Sequence, residues 1–233
     1  MKKGIFYAVG VGCSDPMDMT LKAKNILENS DVIIYPVKEK GEKSLAYTIA
    51  CQGADIENKE TIEIVFPMKH INDYRDYLSD DVMKDIYTAL DSGKCVSMVT
   101  IGDVSVYSTA SYMKQVVEIK GYTTDVVAGI PSFCSSAAAA KISICESKDK
   151  LVILPTINDK QELENAIKDY DSVIVMKSGK KLELISEVIK EKNLENNTIM
   201  MSNIGMEDEY IGKINMAIKS YFTIVMIKKK GLE

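Results

Sequence analysis

Short, almost wholly apolar runs rich in β-branched residues alternate along the chain with longer stretches whose apolar positions recur three and four apart. Residues 5–9, 31–35, 62–66, 96–101 and 124–127 read as strands, and so do 151–154, 172–176, 198–202 and 222–227. Several are apolar at nearly every position, as suits strands covered on both faces. Residues 20–29, 78–92, 108–120, 160–168 and 181–192 carry the helical spacing. The alternation predicts an α/β fold with largely parallel pairing. Nine strands allow one large sheet or two smaller ones. The turn signal at Gly121-Tyr122, directly after a helical stretch, marks a seam. The expected division is 1–117 and 118–233. Residues 207–221 have weaker periodicity and predict short antiparallel strands or a loop.

Composition narrows the class. With 46% apolar and 27% charged residues, the 233-residue chain matches ordinary globular proteins rather than disordered ones. Twenty-nine basic against 34 acidic residues leave a net charge of -5, which argues against a nucleic-acid partner. Arg75 is the sole arginine, so gripping anions falls to lysines, backbone N–H groups and hydroxyls. Cys13, Cys51, Cys95, Cys134 and Cys145 are odd in number and lack C-x-x-C spacing. Reduced cytosolic thiols are expected, with no metal site. No apolar run approaches the roughly 18 residues of a membrane span. The apolar stretch near the N-terminus is too short for a signal peptide. Lys228-Lys229-Lys230 reads as a solvated end.

Three glycine-containing loops follow predicted strands. The first is Gly10-Val11-Gly12-Cys13-Ser14-Asp15-Pro16. A dinucleotide fingerprint would require a third glycine where Asp15 stands, and that carboxylate would repel a pyrophosphate. The second, Thr100 to Thr109, joins a Gly102-Asp103 pair to a run of hydroxyls. It suits either ligand contact or plain helix capping. The third, Ala128-Gly129-Ile130-Pro131-Ser132-Phe133, opens onto a small-residue run that suits close packing with or without a ligand.

Taken together, the order and spacing of these loops resemble the tetrapyrrole methylases over essentially the whole chain. Gly10, Gly12, Asp15, Pro16 and Thr20 match that family's G-x-G-x-G-D-P-x-x-L-T loop, with Ser14 and Met19 as departures. Gly102-Asp103-Val104 is similar to its G-D-P segment, and residues 128–133 to its P-G-I/V-S-S-F segment, with Val104, Ala128 and Pro131 as departures. Phe66-Pro67-Met68 and Tyr221-Phe222-Thr223 resemble the branch that methylates C20 of precorrin-2 or its cobalt form.

The resemblance implies two α/β domains with a ligand cleft between them, a cytoplasmic homodimer, and no membrane association. It implies methyl transfer from S-adenosyl-L-methionine to C20 of precorrin-2 or cobalt-sirohydrochlorin in cobalamin biosynthesis. Carried over by position, the donor contacts are Cys13, Gly102, Asp103, Val106, Pro131, Ser132, Met176, Asn203, Ile204, Tyr221 and Thr223. Asp103 and Tyr107 are candidates for the base that removes the meso proton. Lys69, His70 and Arg75, with Lys38, Lys40 and Lys43, are candidates for holding substrate carboxylates. Methylation at another ring position, diphthine synthase-like activity and a non-catalytic binding domain are the alternatives.

Overall fold

The structure is a computed structural model describing residues 3–13, 15–66 and 74–232. The chain forms two compact units, Met1–Pro131 and Ser132–Glu233. The first contains strands β1 (Ile5–Gly10), β2 (Val32–Val37), β3 (Glu60–Val65), β4 (Cys95–Thr100) and β5 (Thr123–Val127). They form one sheet in the order β3-β2-β4-β1-β5, and every pair is parallel. Its helices are α1 (Leu21–Glu28), α2 (Leu45–Gly53), α3 (Tyr74–Tyr77), α4 (Asp80–Asp91) and α5 (Thr109–Ile119).

Both faces of this sheet are covered, which explains the near-continuous apolar strands. Successive side chains on a strand point to opposite faces. Phe6, Ala8, Ile34, Val96 and Met98 meet Met83 and Ile86 of α4 and Met113 and Val117 of α5. Val9, Ile33, Val99 and Val127 meet Ala23 and Leu27 of α1 and Ile49 and Ala50 of α2 on the other side. Phe66 lies buried in the first of these cores.

The second unit contains β6 (Leu151–Leu154), β7 (Ser172–Val175), β8 (Thr198–Ser202), β9 (Tyr210–Gly212) and β10 (Thr223–Lys228). Its helices are α6 (Ser132–Ala140), α7 (Lys160–Asp169) and α8 (Leu182–Glu191). The sheet order is β6-β7-β10-β8-β9. Leu163, Ile167, Ile185 and Val188 from α7 and α8 cover Val173, Val175, Met200 and Val225.

Three expectations are corrected. The seam moves from 117/118 to 131/132, because β5 pairs with β1 from Ile5–Thr123 to Val9–Val127 and so completes the first sheet. Parallel pairing holds in the first sheet but only between β6 and β7 in the second. β7 and β8 run the same way but leave a gap, and the last strand returns between them antiparallel to both. The antiparallel edge strand β9 falls inside the weakly periodic stretch 207–221. Finally, Lys228 is not a solvated end. It closes β10 at 3% exposure, and its Nζ pairs with Glu146 at 3.1 Å.

Candidate functional site

In the first sheet β1 and β4 are neighbours, yet their connections leave in opposite directions. The chain passes from β1 across β4 to β2, and from β4 across β1 to β5. Ligands of open parallel sheets lie outside the carboxyl ends of the strands at such a reversal. The loops after β1, β4 and β5 are the three glycine-containing loops of the sequence, and the sheet brings them side by side.

Hydrogen bonds fasten each loop to the other two. Gly102 N donates to Gly12 O at 2.7 Å, and Gly12 N returns a longer bond of 3.4 Å to Gly102 O. Both glycines have positive φ, 77° for Gly12 and 74° for Gly102, a conformation that glycine adopts without steric cost. A Cβ on Gly129 would lie 2.1 Å from Gly102 O and 2.8 Å from Gly10 C. Three backbones thus pass with no room for a side chain. Thr20 caps α1 by accepting from Ala23 N and donates to Ala128 O at 3.2 Å. Cys13 Sγ donates to Ile130 O at 3.4 Å.

Asp103 joins the second loop to the third. One carboxylate oxygen accepts from Ser105 N at 2.8 Å and from Ser105 Oγ; the other accepts from Gly129 N at 2.8 Å. Burial alone would raise this carboxyl, but the bonds from Ser105 and Gly129 outweigh it and hold it below its ordinary value of 3.8. Three donors on one carboxylate stabilise the charged form, so Asp103 is a poor base. Tyr107 is 56% exposed and has a φ of 50°, and a bulky residue in that region marks a turn or strain. Val104, in the position of the family's proline, is buried against the first core. Ser108 caps α5 through Ala110 N at 3.1 Å, as the capping reading required.

The second unit gathers its own set. Because β10 runs against β7 and β8, its start lies beside their ends. Met176, half-buried, follows β7, and Asn203, buried, follows β8. Lys177 and Asn203 have positive φ of 53° and 52°. Asn203 N donates to Phe222 O at 3.0 Å, its Nδ2 donates to Asp208 at 2.7 Å, and its Oδ1 accepts from Ser220 Oγ. Its side chain is therefore occupied within the fold. Thr223 is fully buried, with its hydroxyl donating to Ser220 O at 2.8 Å and 2.9 Å from Ser202 Oγ. Tyr221 is half-exposed and stands edge-on to Phe222 at 5.3 Å, with Lys177 Nζ 5.6 Å from its ring centre. Ile204 is half-buried beside Asn203.

Pro67, Met68, Lys69 and His70 lie outside the described residues. Arg75 is exposed on α3, and its Nη1 donates to Gln115 on α5 at 3.5 Å. Lys38, Lys40 and Lys43 are exposed on the turn that follows β2, at the carboxyl edge shared with the three loops. No local signal announces that Gly129 meets the backbones of both Gly10 and Gly102, since three separate strands bring those positions together.

A family model described as Tetrapyrrole (Corrin/Porphyrin) Methylases matches residues 6–217. The chain belongs to this family. It is 35% identical over 234 aligned residues to a probable cobalt-precorrin-2 C(20)-methyltransferase of Methanocaldococcus jannaschii, covering 96% of this chain and 95% of that protein. It is 24% identical to the cobalt-precorrin-2 C(20)-methyltransferase of Salmonella typhimurium, covering 97% of each. Among solved structures, a cobalt precorrin-4 methyltransferase superposes with a TM-score of 0.71 at 15% identity, covering 96% of this chain and 94% of that one. The uroporphyrin-III C-methyltransferase of Thermus thermophilus, complexed with S-adenosylhomocysteine, gives 0.65 at 13% identity, covering 97% and 92%.

Proposed function

We propose that this chain is a C-methyltransferase that uses S-adenosyl-L-methionine to methylate C20 of precorrin-2 or its cobalt form in cobalamin biosynthesis. The observation that carries this reading is the 35% identity, end to end, with the Methanocaldococcus jannaschii protein of that description. The loops of the first unit suit such a donor. They follow β1, β4 and β5 at the carboxyl edge of the sheet, at the strand reversal where ligands of open parallel sheets lie. The bound donor supplies a sulfonium-activated methyl group, and the substrate supplies an electron-rich meso carbon.

The protein's part is mainly to position. In-line transfer needs the reacting carbons about 3–3.5 Å apart, and loops tied together by hydrogen bonds hold that geometry better than loose ones. Cys13, Gly102, Val106, Pro131 and Ser132 are proposed as donor contacts, with Met176, Ile204 and Tyr221. Thr223 and Asn203, whose polar groups are engaged within the fold, support their neighbours. Of the two candidates Asp103 and Tyr107, Tyr107 is proposed as the base at the meso carbon. Lys69, His70 and Arg75 are proposed to hold substrate carboxylates. A cytoplasmic homodimer is proposed on the family resemblance, and light scattering coupled to size exclusion tests the dimer. Among the described residues no helix is long and apolar enough to cross a membrane.

The test is turnover with methyl-labelled donor on precorrin-2, cobalt-sirohydrochlorin and uroporphyrinogen III, read by mass spectrometry. One added methyl on either of the first two substrates and none on the third is expected. Turnover of uroporphyrinogen III alone would move the reading to another ring position.

A further inference from the structure

The loop after β5 leads into Pro131 and Ser132, both proposed as donor contacts, yet among the described residues its hydrogen bonds to the other two loops all involve side chains of those loops. Thr20 Oγ1 reaches Ala128 O at 3.2 Å and Cys13 Sγ reaches Ile130 O at 3.4 Å. Both are bonds between neutral groups, and a thiol is a weak donor. Asp103 supplies the third tie, from its carboxylate to Gly129 N at 2.8 Å. A hydrogen bond with one ionised partner is roughly twice as strong as a neutral one. This tie falls on the residue with no space for a side chain, where an added Cβ would lie 2.1 Å from Gly102 O. The other oxygen of the carboxylate is held by Ser105, so its orientation is fixed before any ligand arrives.

We infer that Asp103 is a positioning residue that sets donor affinity by clamping the loop after β5 onto the loop after β4 through Gly129 N–H, rather than by accepting a proton in the reaction. This role rests on the proposed use of S-adenosylmethionine, and it gives a function to a carboxylate that faces two loops at once. Its neighbours agree. Ser105 donates to Asp103 from both its N–H and its hydroxyl, and Gly102, immediately before Asp103, makes the paired bonds to Gly12.

The substitution Asp103→Asn keeps shape and size but cannot offer acceptors to Gly129 N and Ser105 N together. Ser105→Ala removes one support of the same carboxylate and leaves Gly129 its acceptor. The probe is S-adenosylhomocysteine, with its Kd measured by calorimetry on the full chain, alongside kcat at saturating donor across pH.

Asp103→Asn is expected to raise the Kd about tenfold and Ser105→Ala a few-fold. At saturating donor, kcat should stay within about threefold of wild type with an unchanged pH profile. Exchange of the Gly129 amide with solvent should quicken in the same order. A general base would instead leave the Kd alone and cost about 10²–10⁴ in kcat, and that result overturns the inference. An unchanged Kd together with unchanged kcat overturns it too. If Asp103→Asn does not fold, Ser105→Ala decides: an unaltered Kd with unaltered Gly129 exchange overturns the clamp. Failure of the wild-type chain to bind the probe would instead count against the donor assignment itself.

Discussion

At Gly129 the space for one methyl group is already filled by backbone. A Cβ added there would meet Gly102 O and Gly10 C, and backbone cannot swing aside as the end of a long side chain can. Gly129→Ala is expected to destabilise the chain by about 1–3 kcal/mol, the usual cost of overfilling a packed site, and to abolish S-adenosylhomocysteine binding. Gly121→Ala is the control. Its φ is 81° with nothing within 4 Å of the added carbon, so only the left-handed backbone penalty of roughly 1–2 kcal/mol applies and binding stays intact. Denaturant titration and calorimetry read both variants; wild-type binding by Gly129→Ala would show that the tight passage is dispensable. The glycines, Asp103 and Thr20 are all visible in the sequence as motif positions. Their partners are not, because Asp103 and Gly129, like Thr20 and Ala128, are joined across many residues by the strand order alone.

Periodicity serves well wherever an element buries a stripe or both faces of a strand, as in α4, α5, α8 and the inner strands β1, β2 and β4. It fails for α2, whose Leu45–Gly53 sequence is apolar nearly all round and so carries little helical contrast; Ser44, which accepts from Tyr47 N at its start, is the local signal. It fails again at the end of β10, where a lysine run suggests solvent. The last strand carries Lys228 into the sheet, and the segment after α6 comes to meet it: Glu146 pairs with Lys228 and Asp149 with Lys230. Glu146 stays 61% exposed while the Lys228 side chain is 4% exposed. Solvent screening of the exposed partner limits the pair to about 1 kcal/mol. Glu146→Ala should cost that much in a denaturation midpoint. Lys228→Met should stay within about 1 kcal/mol of wild type, since an apolar replacement sheds the desolvation cost of the buried ammonium. A large loss in Lys228→Met would mean that the buried charge, not the packing of its stem, holds this end of the sheet.

The two units divide the physics of the chain between them. The first is a fully parallel sheet whose strand reversal places three backbone-lined loops together, and the second is a mixed sheet whose antiparallel closing strand brings Tyr221 beside Lys177. Alternating strands and helices make the α/β class legible from the sequence. The seam is not legible, because β5 is a short edge strand with mostly exposed positions, and nothing in its composition says which sheet it joins. The order of the loops carries the family, and the family match over residues 6–217 agrees with it. What the chain does to its substrate is decided at one carbon. The most direct test is carbon-13 NMR of the product formed from precorrin-2, metal-free and cobalt-loaded, with carbon-13 methyl donor. A single labelled methyl attached to C20 in at least one of the two products is the predicted result. A labelled methyl on any other ring carbon, or no labelled product from either substrate, would contradict C20 methylation by this chain.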